Sequence, residues 1–300
     1  MTMLETRKLL TPVEFKGLGL FSGKPCRVIV RAGDGTGRVT AERSDRDGPV
    51  FAAHIDNVRP SMRNTTIAPP GSDASAHGVM TTEHLFSAMA ALLLFDVHLE
   101  IYGPEIPMLD NSAMLFYREL KDNSSDGGVE LPVLAVTEET TVIDAKDPSV
   151  TMVAKPPHPE STPTLLELQY NLDYGPDSPI EPQMGALGIG HDSDDDFTYG
   201  LMVAPARTFC TLTEAEQMNA SGKFGHLEPA DVLVIGPDGP IKNRYRLQSE
   251  PAAHKLLDMI GDFHLAGLPL AGSFLANKTG HRHSHEMIAK LVGTARQRSL

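Results

Sequence analysis

Cysteine is scarce in this 300-residue sequence: its only two are Cys26 and Cys210. Two cysteines cannot build a disulfide framework, and a reducing cytoplasm is the simplest expectation. No run of about 18 apolar residues occurs, so no membrane-spanning helix is expected. The longest apolar stretch, Leu85 to Phe95, is opened by His84. The opening MTMLETRKLL has neither an apolar core nor a cleavage site, and it is not expected to be a signal peptide. Positive charge is also short: 26 Lys and Arg face 39 Asp and Glu, a net charge of −13. Such a balance argues against nucleic acid as a partner. An anionic small substrate stays compatible if Lys, Arg and His collect locally. There is no GxGxxG fingerprint and no solenoid-scale repeat. The glycines of GLGLFSG, at 17, 19 and 23, read as turn residues. The run HDSDDD, closing a Gly-, Pro- and Asp-rich stretch from 175 to 196, lacks EF-hand spacing and reads as a solvated loop.

What is present is ample for a large core: 41% of residues are hydrophobic and 22% charged. That size suggests two domains. Polar KDNSSDGG, residues 121–128, is the best boundary, giving an N-terminal domain over 1–125 and a C-terminal one over 129–300. In the first half, strands are expected around RVIVR at 27–31, from Phe51 to Val58 and from Val97 to Tyr102, with a Gly- and Asp-rich loop at 33–48. A helix is expected from Thr81 or Thr82, which suit an N-cap, and another from Ala113 to Leu120. In the second half, Val133–Thr137 and Thr140–Asp144 suggest a hairpin. Further strands are expected at Leu165–Leu172, Ala206–Thr211, Ala230–Ile235 and Ala271–Lys278, with a helix at Thr213–Ala220. Both halves share a loose plan of strands, a helix with a metal-ligand residue near its start, then a strand and a Gly-containing loop.

The stretch that organises the chemistry is PAAHKLLDMIGDFHLAG, Pro251 to Gly267. It reads as an amphipathic helix, capped by Ser249 or Glu250 and stopped by Gly267 and Pro269. His254, Asp258 and Asp262 stand at i, i+4 and i+8, along one stripe. A His and a carboxylate so spaced can reach one metal ion, but an HxxxD pair also occurs on ordinary surface helices. Glu83 and His84 open the other helix, where the dipole favours the carboxylate and keeps the imidazole neutral, as a ligand must be. Metal-assisted hydrolysis needs about three ligands with an open position, a carboxylate base and a proton donor. His84, His254 and Asp258 supply ligands, Glu83 a base, and His281, in a loop after a strand, an acid that Asp262 can orient. The alternating His281, His283 and His285 could equally be a solvated run. His77, His98, His191, His226 and His264 read as structural or exposed, and Glu105 and Asp110 as loop-fixing residues.

The stretches TTEHLFSAMAAL, GPEIPMLDNSA, ARTF, HKLLDMIGD and KTGH, in that order across both halves, resemble the UDP-3-O-acyl-N-acetylglucosamine deacetylases, zinc amidases of lipid A biosynthesis. The resemblance implies an α+β fold of two similar domains, each a β-sheet layered against helices, with the active site between them. It implies Zn²⁺ on His84, His254 and Asp258, Glu83 as general base, and His281 as electrostatic or acid histidine with Asp262 as its partner. It implies Thr208 at the reacting carbonyl, Lys255 and Lys278 near the diphosphate and sugar, and Phe209 against the sugar nucleotide. The implied activity is hydrolysis of the substrate's acetamide to acetate and the free amine. The implied partner is the acylated UDP-sugar, met by a monomer with at most transient membrane-surface contact. This chain departs from the family pattern in having Phe21 for a histidine, Asn64 for a frequent cysteine and Thr211 for an aromatic. Its GHLEPADVLVIG is only the nearest piece to a Gly-rich family stretch. Two alternatives stay open: a zinc amidase acting on a different N-acyl sugar, and a paralogue that binds a sugar nucleotide without turning it over.

Overall fold

The computed structural model describes residues 2–158, 166–190, 193–222, 225–227 and 231–298. Leu165, His191 and Ala230, which figure in the sequence reading, lie outside them. The first half builds a five-stranded sheet from β1 (Val13–Leu18), β2 (Pro25–Ala32), β3 (Val39–Arg43) and β4 (Phe51–Ala52), with a side pair, β5 (Val58–Arg59) and β6 (Thr66–Ile67). Helix α1 (Glu83–Ala91) then leads to β7 (Val97–Tyr102), and α2 (Met114–Asp122) follows. Strand order is β1-β2-β7-β3-β4, and β3 and β7 run parallel. Strict alternation buries Val28 and Val30 on β2 and Leu99 and Ile101 on β7.

The second half repeats this plan. Strands β8 (Leu134–Ala135), β9 (Thr140–Ile143), β10 (Thr151–Lys155), β11 (Leu166–Leu172) and β12 (Gln183–Ile189) precede α3 (Ser193–Met202). An excursion of β13 (Phe209–Thr211), α4 (Leu212–Ala220), β14 (Leu233–Gly236) and β15 (Gly239–Pro240) comes next. Helix α5 (Glu250–His264), β16 (Leu270–Asn277) and α6 (His281–Arg298) close the chain. Sheet order is β9-β10-β16-β11-β12, and β16 is parallel to β11. Each half thus contains a parallel β-helix-β unit, β3-α1-β7 and β11-α5-β16, whose helix carries site residues. The fold class is α+β, as expected. No helix among the described residues is long and apolar enough to cross a membrane.

Helices α1 and α5 lie against each other, and the apolar residues of both halves join one core. Leu85, Phe86 and Met89 of α1 meet Leu256, Leu257 and Ile260 of α5 there. Each such buried side chain contributes roughly 1.5–3 kcal/mol. Gly261 sets the closeness of approach: a Cβ at that position would lie 2.1 Å from the Glu83 carbonyl oxygen. Only glycine lets the two helices meet at the residue that opens α1.

Several local expectations change. Val39–Arg43, inside the expected loop at 33–48, is a strand; Val39, Ala41 and Arg43 alternate inward, a signal swamped by flanking Gly and Asp. The expected strand from Phe51 to Val58 is cut by a helical turn at Ile55–Asn57. Val133–Thr137 and Thr140–Asp144 do not form a hairpin. Instead β8 runs parallel to β16, and β9 pairs with the unexpected β10. The stretch from 175 to 196 is not all loop: it holds β12 and the start of α3. His281 is not in a loop; it is the first residue of α6.

His264, at the end of α5, is buried beside the Phe86 and Phe95 rings. Burial pushes its pKa down to about 3. The folded-state value is the lower one, so an unfolded chain takes up the proton first, and stability is lost as pH falls below about 6.5. At pH 5 that loss is about 2 kcal/mol. His264→Leu should remove this part of the acid sensitivity, read as the change in denaturant midpoint between pH 7 and pH 5. Equal acid shifts in both proteins would contradict it.

Candidate active site

Three short structural devices bring the chemistry together. The first is the start of α1. Thr82 occupies the N-cap position, but its hydroxyl donates to the Thr65 carbonyl oxygen at 3.3 Å instead of capping. Thr81 takes a left-handed φ of 56° and donates its hydroxyl to Glu105 at 2.7 Å. Buried Glu105 also accepts from the Phe21 and Ser22 amides at 3.0 and 2.9 Å, so it fixes the GLGLFSG turn beside the α1 start.

The second device is the ARTF segment. Arg207 and Glu250 are almost fully buried, with Arg207 Nε 2.8 Å from Glu250 Oε1. Arg207 also donates to Asn243 Oδ1 and the Arg244 carbonyl, both at 2.7 Å. This clamp ties the segment carrying Thr208 and Phe209 to the first turn of α5. Arg207→Ala would strand the Glu250 charge in the core and should cost about 3–5 kcal/mol of stability. Thermal unfolding measures this, and an unchanged midpoint would show that the pair is replaceable. The third device is the stripe of α5 itself, which presents His254, Lys255, Asp258 and Asp262 toward the α1 start.

His84, His254 and Asp258 meet, and all three are buried. Their candidate ligand atoms lie within 4.8 Å of one another. His254 Nε2 is 3.4 Å and His84 Nε2 4.0 Å from Asp258 Oδ1. The two rings stand at 90° with centroids 5.1 Å apart. His254 Nδ1 lies 3.1 Å from the Ala206 carbonyl oxygen, which takes its N–H and leaves Nε2 bare toward the centre. Burial, reinforced by His254, pushes the His84 pKa down to about 3, so its imidazole is neutral. Burial also lowers the His254 pKa, against the pull of Asp258. Burial would raise the Asp258 carboxyl, but His254 beside it and the charges of Lys255 and His281 hold it well below the usual range. Two neutral imidazoles and one carboxylate, sharing one buried point with one imidazole oriented from behind, are a donor set that fits zinc. Glu83, Asp258 and His281 are a second group of similar closeness. They fit a metal less well, because His281 holds its proton.

Around this point stand the remaining residues. Glu83 is buried, and its Oε2 accepts from the Thr65 amide at 3.0 Å. Its Oε1 lies 3.9 Å from His281 Nε2. Burial, with the Asp258 charge adding and His281 opposing, pushes the Glu83 pKa up to about 8. His281 Nδ1 pairs with Asp262 Oδ2 at 2.9 Å. Burial alone would lower the His281 pKa, but Asp262 and then Asp258 overcome it and lift it to about 10. Thr208 Oγ1 lies 3.5 Å from His84 Nε2. Lys255 donates to Asp258 Oδ2 at 2.9 Å, with its Nζ 5.8 Å from the Phe209 ring centroid. A cleft of about 380 Å³ opens here, walled by Phe21, Phe209, Tyr174 and Lys255. A larger open groove of about 970 Å³ lies along the β1-β2 hairpin and holds none of these residues.

Nine of the ten residues singled out from the sequence converge. Lys278 is the exception: its Nζ bonds the Ser149 hydroxyl at 2.5 Å, and it is not among the residues lining the cleft. Of the departures, Phe21 lines the cleft against a small apolar cluster that includes Cys210 and Val232. Asn64 is buried and accepts from the Thr66 hydroxyl at 2.8 Å. Thr211 caps α4 in a capping box with Glu214. The sequence reading missed Thr65, Tyr174 and His285. Thr65 carries no local signal, and His285 looked like part of a solvated run.

A family model, UDP-3-O-acyl N-acetylglycosamine deacetylase, matches residues 6–293. The UDP-3-O-acyl-N-acetylglucosamine deacetylase of Trichormus variabilis is 32% identical over 298 residues, covering 96% of this chain and 98% of that protein. The enzyme of the same name from Geotalea uraniireducens is 30% identical over 292 residues, covering 95% and 87%. With the match spanning nearly the whole chain and both halves of the site, this chain belongs to the UDP-3-O-acyl-N-acetylglucosamine deacetylase family.

Proposed function

We propose that this protein hydrolyses the acetamide of UDP-3-O-acyl-N-acetylglucosamine to acetate and the free amine, a step of lipid A biosynthesis, with one zinc ion on His84, His254 and Asp258. The observation that carries this reading is the convergence of Glu83 and His84 from α1 with His254 and Asp258 from α5 and His281 from α6. When bound, zinc supplies Lewis-acid polarisation at the centre of this cluster. Glu83 Oε1 takes a proton from the attacking water. His281 Nε2, on the same side of the cluster, holds the proton that the leaving amine needs. Asp262 fixes the His281 ring through Nδ1. Thr208 donates its hydroxyl to the carbonyl oxygen as charge develops there. Lys255 and Phe209 flank the cleft, where a cation and an aromatic face suit a sugar nucleotide; Lys278 joins them if its ammonium leaves Ser149.

The reading extends to the rest of the molecule. Two α+β domains, 1–125 and 129–300, are supported by the repeated parallel β-helix-β unit. A cytoplasmic site of action is supported by the two free thiols, Cys26 and Cys210. A monomer completes it, since each half contributes residues to one site within a single chain.

His84→Ala and Asp258→Ala should each lower the zinc content of the purified protein from one per chain. Unchanged zinc in both would remove the ligand assignment. The reaction itself is tested by incubating the zinc-loaded protein with the acyl UDP-sugar and following free amine. An intact substrate would sink the enzymatic reading and favour a protein that only binds the sugar nucleotide.

A further inference from the structure

Thr65 and His285 have no role in the reaction as written, yet they stand at its centre. Thr65 is buried on the segment leading into β6, and its two donors point to different catalytic groups. Its amide donates to Glu83 Oε2 at 3.0 Å, and its hydroxyl donates to Asp262 Oδ1 at 2.5 Å. A threonine hydroxyl has one hydrogen. With that hydrogen on Asp262, His285 Nε2, 3.0 Å from Thr65 Oγ1, must be the donor in that contact. His285 Nε2 also lies 3.3 Å from Asp262 Oδ1. The other carboxylate oxygen, Oδ2, takes His281 Nδ1 at 2.9 Å. His281 and His285 are one turn apart on α6, and their rings stack with centroids 6.2 Å apart.

We propose that Thr65 and His285 form a bracket that positions the base Glu83 and the Asp262–His281 pair relative to one another across the two halves of the chain. The proposal rests on the roles given above to Glu83 and His281. The torsion that turns a carboxylate about its own axis is soft, so Asp262 needs donors on both oxygens to hold His281 in one orientation. His281 supplies one of them. Thr65 and His285 supply the other side, and they do so from opposite halves of the sequence. Through its amide the same Thr65 fixes Glu83, whose other oxygen is 3.9 Å from His281 Nε2. One residue therefore sets the separation of proton acceptor and proton donor. Both residues are positioning residues, because neither faces the substrate-sized cleft.

A purely structural role would only stabilise the buried Asp262 charge. Three variants separate the two roles: Thr65→Val, which keeps the amide and the shape, His285→Leu, and His285→Gln, whose side-chain N–H can stand in for Nε2–H. Three quantities are read on zinc-loaded protein: kcat and KM for the acyl UDP-sugar, and the low-field proton resonance of His281 Nδ1–H bonded to Asp262. Thr65→Val should lower kcat about 100-fold, and His285→Leu about 10-fold, since small misplacements at a reacting centre cost this much. KM should stay within about twofold, because binding contacts are untouched. The resonance should shift or vanish in both. His285→Gln should recover most of kcat and keep the resonance. Variants with a lower unfolding midpoint but intact kcat and resonance would overturn the proposal. Should wild-type protein fail to turn over this substrate, the functional reading fails by itself, and the resonance still decides whether the bracket holds.

Discussion

Glu83→Ala should keep the zinc of the proposed site and lose about 10³- to 10⁴-fold in kcat, the upper range for removing a general base. Zinc is kept because Glu83 is not one of the three proposed ligands, and His84 beside it is untouched. The rate should fall because, among the described residues, no other carboxylate at this centre is placed to take the proton. Asp258 is engaged by Lys255 and by the proposed metal, and Asp262 faces Thr65, His281 and His285. The residue is also held as a base should be. Its backbone sits where Gly261 permits close helix contact, and one of its two oxygens is anchored on the Thr65 amide. Acetate release measured beside metal analysis checks both halves of the expectation. Near-normal turnover in a zinc-loaded Glu83→Ala protein would exclude Glu83 as the base.

His281→Gln should lower kcat by about 10²-fold or more and remove the alkaline limb of the pH–rate profile. The sign follows from the required states. Glu83 must be ionised to accept a proton, so the rate falls on the acid side. His281 must be protonated, so the rate falls again on the alkaline side. Before any metal binds, Glu83 is pushed up to about 8 by burial, and His281 is raised to about 10 by Asp262 and Asp258 against burial. Positive charge on a bound dication favours the carboxylate and disfavours the imidazolium, so both limbs of the holoenzyme lie below these values. Glutamine cannot titrate, and the remaining rate should run level at high pH. A His281→Gln enzyme with the wild-type alkaline limb would show that another group titrates there.

Where a signal was local, the sequence was a good guide. The i, i+4, i+8 stripe of His254, Asp258 and Asp262 lies within α5 and needs no knowledge of tertiary structure. Glu83 and His84 open a helix whose apolar run is plain. The order of five motifs carried the rest, and nine of ten candidates meet. Errors came where the partner was distant. Strand β10 is short, and only its pairing with β16 and β9 reveals it. Strand β3 is hidden among Gly and Asp, and it is fixed by lying parallel to β7. Thr65 was invisible for the same reason: its meaning comes from Asp262, 197 residues away. His285 was read with the exposed face of a His-rich run, because the helical phase that turns it toward Asp262 is set only once His281 starts α6. Lys278 stands apart. A motif placed it near the substrate, while its side chain lies on Ser149.

The most direct test of this account is a zinc titration of metal-free protein, followed by acetate release from UDP-3-O-acyl-N-acetylglucosamine. One cluster, built from His84, His254 and Asp258, predicts activity that rises linearly and levels off at one zinc per chain. No acetate at any zinc level, or release that is independent of zinc, would contradict it.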